Sequence, residues 1–223
     1  KIEFLKSLII KKKNVIKNFN FKNEENKEVW STFKTLSYEP AECLGAYVIS
    51  MTASASDILS VSFLQKEANI KNKLRVVPLF ETLDDLINSK SIMQSLFSQK
   101  WYRKLIQNKQ EVMIGYSDSG KDAGKMCASW HQYKAQEEIV KLAKKFNIEV
   151  IFFHGRGGSA GRGGGPIQAT LRSLPPNSVN GKIRITDQGE VIQQKYGYEP
   201  LAKYNLCSYI GAVTEATLNP PPT

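Results

Sequence analysis

Residues 150–166 read VIFFHGRGGSAGRGGGP, a short apolar run that leads directly into a glycine-rich loop. This stretch holds seven of the chain's 15 glycines and two arginines, and His154 lies where the run meets the loop. An apolar run of this kind predicts a buried β-strand that ends at a polar residue. Glycine lets a backbone approach a ligand closely and point its N–H groups at an anion. The stretch therefore predicts a strand whose carboxyl end presents an anion-binding loop.

The same order of apolar run, polar tip and helical pattern recurs along the chain. The apolar runs cover residues 46–51, 74–80, 112–116, 150–153 and 183–185, and the longest helical pattern covers about 123–146. This repetition predicts parallel βα units with strands buried on both faces. An open doubly wound sheet and a (β/α)8 barrel both fit. Since a complete barrel needs about 250 residues and eight strands and about five strands are predicted, the barrel alternative is an α/β fold with a partial (β/α)8 TIM-type barrel and additional helices.

The first part of the chain has a different pattern. Phe4, Leu8 and later Trp30 and Phe33 lie at helical spacing, with no strand-like run between them. Residues 1–44 are therefore predicted to be a peripheral helical segment, and residues 45–223 an incomplete barrel region. The chain starts with Lys1 rather than Met, so it is expected to be part of a longer polypeptide.

The charge and cysteine content restrict the class of protein. The formal net charge is +10, from 31 basic and 21 acidic residues, and a basic balance with an arginine–glycine loop leaves a nucleic-acid-binding module as an alternative. Much of the excess is lysine on predicted helix surfaces, which favours a solvated surface instead. No apolar run approaches the roughly 20 residues of a membrane span. The three cysteines are far apart, which predicts no disulfide framework, no CxxC metal site and a reducing cytoplasm.

Polar residues follow three of the predicted strands directly. Glu81, Asp118 and His154 each come at or just after the carboxyl end of an apolar run, and these ends converge in a parallel sheet. Two carboxylates there would suit Mg2+ or Mn2+. Two other interpretations stay open, because Glu81 could favour the N-terminus of the next helix and Asp118 could be a turn or cap residue.

The remaining candidates lie in the loops. Lys121 either points its charge at an anionic substrate or lies in solvent, and Asp122 is predicted to cap the following helix. His154 could act as a phosphate partner or an acid/base. Arg156 and Arg162 offer bidentate bonding to an anion from a loop that could close as a lid. The loop has no GK[ST] sequence, so it is not a Walker P-loop.

Four stretches together resemble one family. Residues 153–164 (FHGRGGSAGRGG), 112–124 (VMIGYSDSGKDAG), 78–83 (PLFETL) and 188–192 (QGEVI) are similar to signatures of phosphoenolpyruvate carboxylase, and the resemblance spans roughly residues 45–222. It implies a carboxy-lyase, a carbon–carbon lyase that converts phosphoenolpyruvate and bicarbonate into oxaloacetate and inorganic phosphate through carboxyphosphate and an enolate. It also implies that residues 45–223 are part of the catalytic region.

The resemblance also implies a role for each candidate. Glu81 and Asp118 would be the protein ligands of Mg2+ or Mn2+, and Lys121 would bind or orient bicarbonate or carboxyphosphate. His154 would assist carboxyl transfer in an apolar pocket. The loop residues would bind substrate and take part in catalysis: Arg156, Gly157 and Gly158 at the phosphoryl group, and Arg162 on the mobile part, which is also linked to feedback inhibition by aspartate or malate.

The resemblance finally implies a setting for the enzyme. A member of this family is expected to be a cytoplasmic, allosteric homotetramer that fixes carbon dioxide and replenishes the tricarboxylic acid cycle, without nucleic-acid or membrane partners. A second essential histidine and the C-terminal inhibitor region of the family have no match here. The 223-residue chain alone is therefore predicted to be inactive. Another phosphoenolpyruvate-using barrel enzyme, such as a kinase or dikinase, is the rival enzyme assignment.

Overall fold

The structure is a computed structural model that describes residues 1–11, 14–16, 21–155, 167–187 and 189–221. The helices in these ranges are α1 (Ile2–Ile10), α2 (Glu24–Leu36), α3 (Ala55–Glu67), α4 (Leu83–Phe97), α5 (Lys100–Leu105), α6 (Ser117–Ala123), α7 (Lys125–Phe146), α8 (Ile167–Arg172), α9 (Gly189–Tyr196) and α10 (Glu199–Leu218). The strands are β1 (Ala46–Ile49), β2 (Arg75–Phe80), β3 (Lys109–Gly115), β4 (Glu149–Gly155) and β5 (Arg184–Ile185).

The described strands form a parallel sheet in the order β1-β2-β3-β4-β5. A doubly wound sheet reverses its strand order at a switch point, whereas barrel strands follow one another along the chain. No reversal occurs among these five strands. The predicted α/β class, the parallel βα units and all five strand positions are thus confirmed.

Pro78 lies inside β2 without interrupting it. Residues Arg75 to Pro78 pair with β1, and pairing with β3 begins at the next residue, Leu79. A proline has no amide hydrogen to donate to a ladder. Pro78 is therefore tolerated because it lies where β2 changes from one partner to the other.

Local capping determines where the helices around the site begin and end. The Thr82 hydroxyl accepts a hydrogen bond from the Asp85 amide at 3.1 Å, and the Asp85 carboxylate accepts one from the Thr82 amide at 3.1 Å, which is a capping box for α4. The helix predicted over about 123–146 starts at 125, because Gly124 has φ 76° and separates it from the short helix α6. Asn147, at φ 54°, ends α7 in the left-handed conformation.

The chain divides into two compact units, Lys1–Pro78 and Leu79–Thr223. The predicted division at 44/45 into a peripheral segment and a barrel region stays a prediction. The first unit has a core made by Phe33, Val61, Ala68 and Ile70. The Phe33 ring stacks on Tyr47 with 5.1 Å between centroids, which packs α2 against β1.

A buried carboxylate joins two parts of the first unit. The side chain of Glu67, at the end of α3, is fully buried. Its carboxylate accepts hydrogen bonds from the backbone amides of Val15 at 2.6 Å and Ile16 at 2.7 Å, and from Lys66 Nζ at 2.7 Å. These contacts compensate for the loss of hydration of the charge. Glu67 therefore fastens residues 14–16 to the C-terminal end of α3.

The second unit carries the polar strand ends. Its most deeply buried hydrophobic side chains on β2, β3, β4 and α7 are Phe80, Val112, Ile114, Ile139 and Phe152. A separate cluster joins α8 to α10 through Leu171, Leu174, Val179, Ala212 and Ala216. The strands that precede Glu81 and Asp118, and the strand that contains His154, are thus anchored in a close-packed interior.

Candidate active site

Four strand ends lie at one level of the second unit's sheet. Phe80, Ile114, His154 and Ile185 are register partners across β2, β3, β4 and β5. Glu81 directly follows Phe80, and the helix α6, which carries Asp118, begins at Ser117, three residues after Ile114. The structure therefore brings the carboxyl ends of these strands side by side, as the sequence predicted.

Glu81 packs directly against Gly115 at the end of β3. A Cβ atom at position 115 would lie 2.6 Å from the Glu81 Cβ and 2.8 Å from the Glu81 Cα. Because no real side chain tolerates such distances, only glycine allows β2 and β3 to meet here with Glu81 in this position. The helix-capping carboxylate is Asp85, which accepts hydrogen bonds from the Glu81 and Thr82 amides at 3.3 and 3.1 Å. The capping box of α4 is thus made by Thr82 and Asp85.

Asp118 and Lys121 form an exposed pair on α6. Asp118 lies in the first turn of this helix, where a carboxylate is favoured, and its side chain is 49% exposed. It accepts hydrogen bonds from Ser117 Oγ and from Lys121 Nζ, both at 3.3 Å. Exposed ion pairs contribute about 0–1 kcal/mol. The pair can therefore separate at little cost, so that each group can contact an external ligand.

Asp122 does not cap α7, so that prediction was wrong. It lies inside α6, because this separate short helix continues to Ala123. Its carboxylate instead accepts a hydrogen bond from the Leu83 amide at 3.0 Å, across 39 residues of sequence. This bond joins the turn that follows Glu81 to the helix that carries Asp118.

A polar network beneath α6 was not predicted from the sequence. Gln132 Nε2, on α7, donates to Ser119 Oγ at 2.8 Å and to the Gly115 carbonyl at 3.2 Å. Ser119 is fully buried, and its hydroxyl lies 3.3 Å from the carbonyls of Gly115 and Tyr116. The network fixes the turn between β3 and α6. Neither residue is conspicuous in the sequence, since the two are 13 positions apart on different helices.

His154 is buried and held at both its ring and its backbone. The residue is 2% exposed, and its Nδ1 lies 2.7 Å from the hydroxyl oxygen of Tyr116. Its carbonyl accepts hydrogen bonds from the amide and hydroxyl of Thr186 at 3.0 and 3.1 Å. The ring of Phe152 lies 6.4 Å away between centroids. His154 is thus buried beside Phe152, and Tyr116 is a partner that the sequence did not reveal.

The predicted residues of the glycine loop, Arg156, Gly157, Gly158 and Arg162, lie outside the described residues. Among the residues that are described, no group of three or more His, Cys, Asp or Glu side chains is placed to hold a metal ion. No helix in the described ranges is long and apolar enough to cross a membrane. The three cysteines are free and exposed.

Comparison with known proteins decides the family. The family model for phosphoenolpyruvate carboxylase matches residues 1–223, the whole of the chain. The chain belongs to the phosphoenolpyruvate carboxylase family. Strands β2, β3 and β4, with the residues that follow them, are therefore the counterparts of carboxylase segments, and the resemblance noted in four stretches extends over the chain from end to end.

Curated carboxylases from plants and bacteria are similar to this chain. The C4 phosphoenolpyruvate carboxylase of Flaveria trinervia is 54% identical over 200 residues, which cover 90% of this chain and 21% of that protein. The phosphoenolpyruvate carboxylase of Acinetobacter baylyi is 56% identical over 196 residues, which cover 88% and 22%. Phosphoenolpyruvate carboxylase 3 of Arabidopsis thaliana is 53% identical over 200 residues, which cover 90% and 21%. The chain thus spans about a fifth of the length of these relatives.

Proposed function

We propose that this chain supplies part of the active site of a phosphoenolpyruvate carboxylase, built on a partial (β/α)8 barrel. The reaction joins phosphoenolpyruvate to bicarbonate and gives oxaloacetate and inorganic phosphate. One structural observation carries the proposal: β2, β3 and β4 end side by side, and Glu81, Asp118 and His154 follow or close these strands. Ligands bind at this edge in parallel α/β folds. The match to the phosphoenolpyruvate carboxylase family supports phosphoenolpyruvate and bicarbonate as those ligands.

Glu81 and Asp118 are the residues proposed to hold a divalent cation. Their carboxylate oxygens are the ligand type that Mg2+ and Mn2+ prefer, and Mg2+ sites commonly use only one or two carboxylates together with water and substrate phosphate. The donor set therefore fits. Gly115 allows the end of β3 to approach Glu81 closely. The hydrogen bond from the Leu83 amide to Asp122 joins the turn after Glu81 to α6, which carries Asp118. A bound cation would stabilise the negative charge that develops on the substrate.

The cationic side chains are proposed to bind the anionic substrates. Lys121 is 74% exposed and paired only with Asp118 among its ion pairs in the described residues, so it can turn toward bicarbonate or carboxyphosphate. Arg156, with Gly157 and Gly158, is proposed to hold the phosphoryl group by bidentate hydrogen bonds. Arg162 is proposed to act from the part of the loop that closes over the site and keeps water from carboxyphosphate.

His154 is proposed to assist carboxyl transfer. Its burial beside Phe152 provides a site with little water, in which a hydrogen bond to a reacting carboxyl group is stronger than it would be in solution. The family relationship further supports a cytoplasmic homotetramer under allosteric inhibition by aspartate or malate. Both remain proposals for the whole protein.

The test uses the complete polypeptide that carries these residues. Glu81→Gln and Asp118→Asn should each weaken Mn2+ binding at least about 10-fold and lower oxaloacetate formation about 100-fold, because each removes a charged ligand. Mn2+ binding is followed by electron paramagnetic resonance and oxaloacetate by coupled reduction. Glu138→Gln, which changes a half-buried carboxylate of α7 that pairs with Lys90 of α4, is the matched control and should change neither quantity.

Two outcomes would contradict the proposal. Mn2+ binding that both variants leave unchanged would remove Glu81 and Asp118 from the metal site. Phosphate release that does not depend on bicarbonate would favour the rival phosphoenolpyruvate-using enzyme. The 223-residue chain alone should form no oxaloacetate in the same assay, since it spans about a fifth of its relatives.

A further inference from the structure

We propose that Tyr116 is a positioning residue for His154: its phenol donates a hydrogen bond to Nδ1 and holds the imidazole in the tautomer that carries its proton on Nε2. The contact is the 2.7 Å distance between the Tyr116 hydroxyl and His154 Nδ1. In a neutral imidazole one ring nitrogen accepts a hydrogen bond and the other carries the proton. The hydrogen-bond partner of one nitrogen therefore determines the tautomer.

The direction of this hydrogen bond follows from the acidity of the two groups. A phenol, with an ordinary pKa of about 10, releases its proton far more readily than the N–H group of a neutral imidazole, and an imidazole nitrogen is the stronger acceptor. The alternative, an imidazolium that donates from Nδ1, would place a positive charge on a ring that is 2% exposed and lies beside Phe152. Burial of this kind disfavours the charged form. The phenol is therefore the donor.

Tyr116 is itself held rigidly enough to perform this role. Its carbonyl accepts hydrogen bonds from the Gly120 amide and from the buried Ser119 hydroxyl, both at 3.3 Å. Ser119 is in turn bonded to Gln132 of α7 at 2.8 Å. On the other side, Thr186 holds the His154 carbonyl. A connected set of hydrogen bonds thus reaches from α7 through Tyr116 to the imidazole, which restricts rotation of the ring.

The consequence for catalysis rests on the proposed function. With its proton on Nε2, His154 donates a hydrogen bond to an oxygen of the carboxyl group during carbon–carbon bond formation. In this tautomer the histidine does not act as a base through Nε2, because that nitrogen already carries the proton. Tyr116 acts only through His154 and contacts no substrate in this scheme.

The experiment measures the tautomer directly on the 223-residue chain, which contains only two histidines. The protein is labelled with 15N-histidine, and long-range 1H–15N spectra near neutral pH distinguish protonated from unprotonated ring nitrogens. His131, on α7, is the internal reference, and the variant His131→Gln assigns the signals. The parent protein should show His154 with a protonated Nε2 and an unprotonated Nδ1. A protonated Nδ1 in the parent would overturn the proposal without need of any variant.

Two variants test the role of the phenol. Tyr116→Phe should change the 15N signals of His154 toward a mixture of tautomers and leave those of His131 unchanged. Thr186→Val, which removes only the hydroxyl bonded to the His154 carbonyl, is the matched control and should preserve the Nε2–H tautomer. Amide spectra verify that each variant is folded. An unchanged His154 tautomer in folded Tyr116→Phe would also overturn the proposal.

The catalytic consequence is measured separately on the complete polypeptide. Tyr116→Phe should lower kcat for oxaloacetate formation about 10- to 100-fold and leave the KM for phosphoenolpyruvate within about twofold. If the complete parent polypeptide had no carboxylase activity but His154 still carried its proton on Nε2, the proposed function would be refuted. The role of Tyr116 in fixing the tautomer would then still stand. Normal kcat in Tyr116→Phe would refute the catalytic consequence alone.

Discussion

At the scale of single residues, the site depends on the absence of a side chain as much as on the charged groups. Gly115 ends β3 where Glu81 follows β2, and the two backbones approach so closely that a Cβ would lie 2.6 Å from Glu81 Cβ. Glycine at this point is a requirement of the contact between two strand ends. The position of Glu81 therefore depends on a residue 34 positions later in the chain.

This contact predicts an effect of Gly115→Ala. The added methyl group would displace Glu81, and we expect a loss of about 1–3 kcal/mol in the free energy of unfolding, together with weaker Mn2+ binding. Urea denaturation and Mn2+ titration measure the two effects. Gly120→Ala is the control, since its Cβ would meet no atom within 4 Å, and we expect a neutral or slightly stabilising change of up to about 1 kcal/mol. Equal stability of both variants would contradict the proposed packing.

The sequence indicates residues that a local pattern marks, but it does not reveal partners that are distant along the chain. Glu81, Asp118 and His154 were found from the sequence, because each follows or closes an apolar run that is recognisable locally. Tyr116 was included in such a run and treated as part of a strand, although its hydroxyl bonds to His154, 38 positions away. The role of Asp122 was assigned wrongly for a similar reason. Its partner, Leu83, precedes it by 39 positions.

At the scale of elements, α7 supports the turn between β3 and α6 through the hydrogen bonds of Gln132. The sequence predicted one helix over about 123–146, and the structure confirms most of it as α7 but adds α6 as a separate helix. The separation at Gly124 lets Gln132 reach back to Ser119 and to the end of β3. The helix therefore positions the segment that carries Asp118 and Lys121.

Replacement of Gln132 tests this support. Gln132→Leu keeps the approximate volume but leaves the Ser119 hydroxyl without its donor, which should cost about 1–3 kcal/mol of unfolding free energy. Hydrogen exchange of the amides near Ser119 should accelerate more than exchange in α10, because the loss is local. Ser129→Ala, at an exposed position of the same helix, should change neither measurement. Unchanged exchange in a folded Gln132→Leu protein would refute the role of α7.

At the scale of the whole molecule, the chain consists of two compact units, and a buried charge is important to the first. Burial alone would raise the pKa of Glu67, but hydrogen bonds from Lys66 and from the Ile16 and Val15 amides outweigh it and hold the pKa below its usual 4.5. The unfolded chain then binds a proton more readily than the folded chain. The contribution of Glu67 to stability is therefore present above about pH 4.5 and is lost as the pH falls through the lowered folded value.

Glu67→Gln tests this pH dependence. The variant should lose about 2–4 kcal/mol of unfolding free energy at neutral pH, because the buried ion pair with Lys66 is lost and the two hydrogen bonds from backbone amides lose their charge assistance. The difference from the parent should shrink as the pH falls below about 4.5, where the parent carboxylate is also protonated in the unfolded state. Urea denaturation across this pH range provides the measurement. Glu42→Gln, exposed in the same unit, is the control, and a difference that grew in acid would have the wrong sign.

The sequence by itself determined the α/β class, the positions of the five strands, the polar residues at their carboxyl ends and the family. These properties are local, since apolar runs, glycines and signature motifs involve neighbours along the chain. Only the tertiary structure decided the register that aligns Phe80, Ile114 and His154, the contact of Gly115 with Glu81, and the hydrogen bond between Tyr116 and His154. Such contacts join segments more than 30 residues apart, and they form only when strands and helices pack in one arrangement. The packing of the strands and helices therefore brings the predicted strand ends together as a candidate site.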